Sequence, residues 1–500
     1  MGLIKRTVGI VVALGWASAV VVYAQPTGGP YKDIKEIPDS AIGRRVSELL
    51  DVVNSGNPDR AREYVTSTFA PAFRDAFPMA KHVGVFGNFH ERSRGFEFAG
   101  LRQYDPPRPD TEVVIVVRNK LTESWQAFVV EVESTAPHRI ASLSLNPARP
   151  PSYLSKPEGT LTDEQVVTEL GRLVDRVCDG DAFSGAVLLA KNGRPIFQKA
   201  CGSAGKSFNA PNKLDTKFNL GSMNKMLTAV AVAQLVERGK LSFDDPIGKY
   251  LSEDWLAREY SQKITVGQLL SHTSGLGSYF NEKFMNASRE LYRTVDDYKP
   301  MVAVDKPKFE PGTDWSYSNT GFLLAGAVIE KITGQNYFDF IRENIYKPAG
   351  MTNSDSYDMD EPVPNLAIGY WREPGEDGKT RWKSNVLKHV VRGGPAGGGF
   401  STVEDLLKFD AALRSEKLLT AKITEVLWTP KPGSAEYGYG FGLDGETGRR
   451  RVGHSGGFPG ISAFFEMYLD DGYTVVVLSN YSDAATLVAE KLSELLARTK

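Results

Sequence analysis

Gly221-Ser222-Met223-Asn224-Lys225 runs directly into Met226-Leu227-Thr228-Ala229-Val230-Ala231-Val232-Ala233. The second part has no polar face, so the stretch reads as a helix buried on all sides. Residues three apart share one face of a helix, which sets the Lys225 amine beside the Ser222 hydroxyl. A serine in the first turn also lies near unpaired backbone N–H groups and the positive end of the helix dipole. A lysine carried into such a helix loses affinity for its proton and becomes available as a base. Gly239 closes the helix. The S-x-x-K spacing alone is weak evidence, because Ser203-Ala204-Gly205-Lys206 repeats it in a Gly-flanked stretch shortly before Pro211, where no helix is expected. That copy reads as a loop coincidence, and for Ser222 and Lys225 the plain alternative is an N-capping serine beside a solvated lysine.

Two further segments raise the odds for the first copy. Tyr317-Ser318-Asn319 follows the loop Pro311-Gly312-Thr313-Asp314-Trp315-Ser316 and precedes a helix starting near Gly321. A loop tyrosine can shuttle a proton to a serine oxygen, and the Asn319 amide can bind both a lysine and a substrate carbonyl. The similar Tyr279-Phe280-Asn281 lacks the Pro-Gly entry and reads as a decoy. The third segment is His454-Ser455-Gly456-Gly457, expected on an edge strand, where backbone N–H groups can join the Ser222 N–H as an oxyanion hole. Glycines there let a substrate approach the backbone. Gly453-His454-Ser455-Gly456-Gly457 also satisfies G-x-S-x-G, but that elbow needs a helix behind it and a later histidine. Phe458-Pro459-Gly460 and a strand-like run follow instead, and no histidine lies beyond His454.

Outward from these segments the pattern is α+β. Thr162 with Gln165 forms a capping box for a helix whose apolar face carries Val166, Leu170, Leu173, Val174 and Val177. Strands at 184–190 and 195–200 flank the Asn192-Gly193 turn. A mostly helical stretch fills 222 to about 430. Strands return near 439–443, 451–454, 461–468 and 473–478, before a last helix bearing Leu487, Leu492 and Leu496. An antiparallel sheet flanked by N- and C-terminal helices, with a helical region inserted between its early and late strands, is the expected architecture of 160–500.

A smaller α+β domain is expected over 39–147. Ile42, Val46, Leu49, Leu50 and Val53 recur at helical spacing, Asn57-Pro58 opens a second helix, and strands follow at 113–117, 125–132 and 140–145. This element order is similar to the cone-shaped nuclear-transport-factor-like fold and carries no catalytic constellation, so a binding or spacer module is expected. Residues 25–38 read as a flexible leader, and the proline-rich 148–159 as a linker.

Lys5 and Arg6, the apolar run Val8–Val22 and the small residues Val22 and Ala24 form a secretory signal pattern over 1–24. The run is short for a membrane span and is interrupted by Trp16 and Ser18, so no stable span is expected after cleavage near Ala24. The chain is therefore expected to be exported, periplasmic or secreted. Its 59 Lys+Arg balance 61 Asp+Glu, which leaves no basic stripe for nucleic acid. Six scattered histidines form no metal-ligand spacing, and no metal or organic cofactor is expected. An oxidising compartment permits a Cys178–Cys201 disulfide, but sequence leaves the pairing open.

S-x-x-K, Y-x-N and a late H-[ST]-G, in that order over roughly 160–498, resemble the class C branch of the serine β-lactamase and penicillin-binding-protein superfamily. Ile264-Thr265-Val266-Gly267-Gln268-Leu269-Leu270-Ser271-His272-Thr273-Ser274-Gly275-Leu276 and Gly397-Gly398-Gly399-Phe400-Ser401-Thr402 extend the likeness. The resemblance implies Ser222 as nucleophile, Lys225 and Tyr317 as proton carriers and Asn319 as substrate ligand. It implies substrate contacts at His454, Ser455 and Gly456, with the N–H groups of Ser222 and Gly457 as the oxyanion hole. It implies acyl-enzyme hydrolysis of D-amino-acid peptides, esters or β-lactams, on a small-molecule or peptidoglycan-type substrate. The rival within the same fold is a sensor that acylates without turnover. Many β-lactamases carry K-T-G where this chain has His454-Ser455-Gly456, and a histidine, largely neutral at pH 7, replaces a fixed charge. That substitution argues against efficient β-lactam hydrolysis and leaves peptidase or esterase chemistry open.

Overall fold

The computed structural model describes residues 30–154, 159–374, 380–434, 436–444 and 448–499; the expected signal segment at 1–24 lies outside them. The first part is built on a five-stranded antiparallel sheet in sequential order: β1 (Tyr31–Ile34), β2 (Phe96–Tyr104), β3 (Glu112–Asn119), β4 (Trp125–Val132) and β5 (Ile140–Pro147). Helices α1 (Ala41–Ser55), α2 (Pro58–Thr68) and α3 (Met79–Ser93) pack against it around one apolar core. Asn57 caps α2 as expected, its Oδ1 accepting from the N–H groups of Asp59 and Arg60. Phenylalanines fill the space between helices and sheet, with Phe96 and Phe89 edge-on to Phe128 at 5.1 and 5.5 Å.

The expectation of a flexible leader over 25–38 is corrected for its described part. Residues 31–34 pair antiparallel with β2, and the buried Asp33 is bridged by Arg102 at 2.9 Å. Asp33 also accepts from the Ser152 N–H at 2.7 Å, so one carboxylate ties the start of the chain to the Pro-rich segment after β5. Partners 69 and 119 residues away satisfy this carboxylate, and local composition cannot reveal them.

The second part centres on a six-stranded antiparallel sheet. Its early strands are β6 (Gly185–Lys191) and β7 (Arg194–Cys201). Its late strands are β8 (Gly442–Asp444), β9 (Arg451–Phe458), β10 (Ile461–Tyr468) and β11 (Tyr473–Ser479), and the spatial order is β8-β9-β10-β11-β6-β7. Asn192 and Gly193 both take positive φ, 51° and 73°, which the tight β6–β7 turn requires. One face carries α4 (Asp163–Asp179) and α7 (Ala484–Leu496) over a shared apolar core, and the Thr162–Gln165 capping box opens α4. The other face carries the inserted helical region, dominated by α5 (Asn224–Glu237) and α6 (Asn319–Thr333). Cys178 and Cys201 are joined, which links the end of α4 to the end of β7.

β9 matters most for the site. β8 pairs only with Arg451–Gly453, so 454–458 form an unpaired edge. The G-x-S-x-G string at 453–457 lies inside β9 and is followed by β10, which removes the nucleophile-elbow reading. Among the described residues no helix is long and apolar enough to cross a membrane.

Candidate active site

A single turn of tight helix, Gly221–Met223, leads into α5. Gly221 has φ +51°, and a Cβ there would stand 3.0 Å from the Gly457 nitrogen. A Cβ on Gly456 would lie 1.9 Å from the Leu220 carbonyl oxygen. The turn before Ser222 and the open edge of β9 are therefore in backbone contact, which only glycines allow. The turn is held from the other side as well. Asn219 Oδ1 accepts from the Gly221 N–H at 2.9 Å, its Nδ2 donates to His389 Nε2 at 2.7 Å, and the Gly398 N–H donates to the Gly221 carbonyl at 3.1 Å.

α5 is buried all round, and Lys225 with it is 0% exposed. Its Nζ lies 3.1 Å from Ser222 Oγ and 2.8 Å from Asn319 Oδ1, and it donates to the Ala396 carbonyl. Burial lowers the Lys225 pKa well below that of a free amine, because the cation would have to leave water. In the neutral amine two N–H bonds are consumed by acceptor-only oxygens, those of Asn319 and Ala396. The remaining lone pair then faces the Ser222 hydroxyl. Asn319 is oriented in turn by donating from Nδ2 to Ser278 Oγ at 3.1 Å.

Tyr317 reaches the same place from the loop before α6. Ser318 caps α6 by accepting from the Gly321 N–H at 2.9 Å, and its own N–H donates to Nδ1 of the buried His272 at 3.0 Å. The His272 ring packs on Tyr317 at 4.3 Å. The Tyr317 ring lies 4.8 Å from Lys225 Nζ. Burial raises the phenol pKa and Ser222 pulls it part of the way back. Its buried hydroxyl completes no hydrogen bond of full geometry among the described residues, so it remains uncommitted beside the serine.

The edge of β9 supplies N–H groups by parity. Just beyond the strand ends the Leu469 N–H donates to the Arg450 carbonyl, and pairing with β10 runs without a bulge to Phe458. Even-numbered residues of β9 thus point their backbone groups at β10, and Gly457 points its N–H outward, toward Ser222.

Ser222, Lys225, Tyr317, Asn319 and Gly457 are brought together as the sequence implied. His454 is the correction. Its Nδ1 faces the Ser455 carbonyl, which can only accept, so Nδ1 carries the hydrogen. Nε2 then accepts from the Tyr437 hydroxyl at 2.8 Å. Both nitrogens are committed inside the fold, and burial pushes the pKa to about 3. The imidazole of His454 is thereby turned into the fold, where it ties the edge strand to Tyr437. Ser455 gives its carbonyl to that imidazole, and Gly456 is pressed on Leu220.

Sequence reading missed the Ala396 carbonyl, Ser278, Tyr437, Asn219 and His389, none of which carries a local signal. The segment set aside as a decoy also lies at the site. Tyr279 and Phe280 line the cleft in front of Ser222, while Asn281 caps the short helix Glu282–Asn286. By contrast Ser203 and Lys206 lie on a short strand and the turn after it, outside this site.

Residues 165–497 match the model of the family described as Beta-lactamase. Penicillin-binding protein 4* of Bacillus subtilis (strain 168) is 31% identical over 331 residues, covering 62% of this chain and 71% of that protein. The teichoic acid D-alanine hydrolase of Staphylococcus aureus (strain MRSA252) is 28% identical over 310 residues, 61% of this chain and 72% of that protein. Among solved structures, a penicillin-binding protein from Bacillus halodurans superposes with a TM-score of 0.59 at 32% identity, over 64% of this chain and 98% of that one. The matched span opens within α4 and ends just beyond α7, so it takes in the six-stranded sheet and all the groups around Ser222. The chain therefore belongs to the β-lactamase family, the superfamily of serine hydrolases that includes penicillin-binding proteins.

Proposed function

We propose that this protein is an exported serine hydrolase acting through an acyl-enzyme on Ser222. The observation that carries the reading is the environment of Lys225, a buried amine with two oxygen acceptors and the Ser222 hydroxyl as its third neighbour. In the neutral form it takes the Ser222 proton as Oγ attacks a carbonyl carbon. The tetrahedral oxyanion is received by the N–H groups of Ser222 and Gly457. The bond from carbonyl carbon to leaving group then breaks, and the proton passes through Lys225 and Tyr317 to the departing oxygen or nitrogen. Water attacks the acyl-enzyme, its proton passing to the Tyr317 oxygen while the Tyr317 hydrogen moves on through Lys225 to Ser222 Oγ, and the bond from Oγ to the acyl carbon breaks to release the acid. Asn319 holds the substrate carbonyl side while fixing Lys225.

D-amino-acid peptides, esters and β-lactams are the proposed substrate range, and the relatives named for penicillin binding and for D-alanine hydrolysis support it. The neutral, inward-turned His454 weakens the case for β-lactams. Residues 1–24 act as the signal peptide, and 39–147 as a binding or spacer module.

Intact-protein mass with peptide mapping tests the reading. A fluorophosphonate adduct on Ser222 is expected, and a penicillin adduct on the same residue would mark a peptidoglycan-directed enzyme. A folded sample that takes neither reagent would overturn the acyl-enzyme reading.

A further inference from the structure

The cleft in front of Ser222 has an unusual wall. Tyr279, Phe280, Phe284, Phe458 and Ile461 all line it. Phe280 and Phe458 stack on one another at the cleft, with ring centroids 6.1 Å apart and planes 28° from parallel. The one charged side chain on the lining, among the described residues, is Lys388, which sits at the exposed rim. His389, also on the lining, spends Nε2 on Asn219 and Nδ1 on the Val390 carbonyl.

Both rings are tied to the groups that hold the reacting carbonyl. Phe458 directly follows Gly457, whose N–H points to Ser222. Phe280 lies two residues after Ser278, whose hydroxyl accepts from Asn319 Nδ2 at 3.1 Å and from the Phe280 N–H at 3.4 Å. A carbonyl attacked by Ser222 with its oxygen on the Gly457 N–H therefore lies beside these two rings.

We propose that Phe280 and Phe458 are specificity-determining residues that select an uncharged, apolar acyl group. The inference rests on the acyl-enzyme reading above and narrows its substrate class to neutral acyl esters and amides. An acyl group bearing a carboxylate would lose its water against aromatic faces, whose own partial charge is negative, with no buried cation to receive it. A methylene chain in the same place gives up only unfavourable hydration.

The test uses the full chain and three p-nitrophenyl esters: acetate, hexanoate and the monoester of succinate. kcat/KM for hexanoate is expected to exceed that for succinate by about thirtyfold and that for acetate by about tenfold. In Phe280→Ala and Phe458→Ala the hexanoate-to-acetate ratio should fall by about fivefold or more. The ratio is internal to each variant, so a loss of folded protein does not move it, and fluorophosphonate titration counts the competent molecules. Succinate turned over as well as hexanoate by the unaltered protein overturns the proposal, as does a ratio unmoved in both variants. Ser222→Ala separates the two levels. If it keeps ester hydrolysis, the acyl-enzyme reading falls and takes this inference with it. If it is inactive while the unaltered protein shows no hexanoate preference, only the inference falls.

Discussion

This chain spells S-x-x-K twice, at Ser203–Lys206 and at Ser222–Lys225, each time directly after a glycine of positive φ. The two copies have different fates. The first begins on the short strand Ser203–Gly205, where the Ser203 hydroxyl donates to the Ala210 carbonyl. Lys206 turns toward the Trp382 ring at 4.0 Å and lies 3.9 Å from Asp181. Along an extended chain residues three apart lie on opposite faces. The second copy crosses into a helix, where the same spacing stacks the two side chains, and α5 carries Lys225 into the core while Lys206 remains partly exposed. The motif supplies two functional groups, and the helix and its burial supply their encounter and the altered basicity of the amine.

The comparison breaks most directly at the serines. Ser222→Ala should lower ester turnover and fluorophosphonate labelling by about a thousandfold or more, while Ser203→Ala labels like the parent. Rates measured under identical conditions check both, and labelling lost in Ser203→Ala would reverse the assignment. The lysines give a smaller contrast. Lys225→Arg puts a permanent cation where a neutral base is needed and should cost about a hundredfold in acylation rate, whereas Lys206→Arg should change little. Because burial lowers the Lys225 pKa, acylation should rise with pH and level off well below pH 10.5. A profile still climbing near the ordinary lysine value would show a solvated amine.

The smallest effect concerns stability, and it extends the lesson of burial to the imidazoles. His389 and His454 are buried and neutral, with pKa values pushed down to about 4 and about 3 from an ordinary 6.5. Between those values and 6.5 the unfolded chain binds more protons than the folded one. Stability is therefore fully present above pH 6.5 and falls as pH drops toward 4. At pH 5 each histidine should account for a loss of about 2 kcal/mol. Urea unfolding of the parent and of His389→Gln at pH 7 and pH 5 isolates one share, which should be missing from the variant. A pH dependence identical in the parent and His389→Gln would show that this ring takes up its proton without cost.

Much of the site was legible because its chemistry is concentrated in short strings. Ser222 and Lys225 announce themselves by helical spacing before an apolar run, and Tyr317 and Asn319 by their place between a Pro-Gly loop and a helix start. What stayed hidden acts through backbone or through distant partners. The Ala396 carbonyl has no side chain to advertise it, and Ser278 serves only because Asn319 arrives beside it. Tyr279-Phe280-Asn281 was discounted for lacking a catalytic entry, although its rings form a wall of the cleft. The buried bridge between Asp33 and Arg102 turned an expected leader into a strand.

The sequence alone determined the α+β class, the order of helices and late strands, the capping signals and the short strings that carry Ser222, Lys225, Tyr317 and Asn319. These are local or periodic properties, encoded in residue type and spacing. Only the tertiary structure decided which S-x-x-K copy is buried, that His454 turns inward to Tyr437, that Gly457 faces outward and that Cys178 meets Cys201. Each of these depends on strand parity or on contacts between residues far apart in the chain, and solvation is settled only when those segments close over one another.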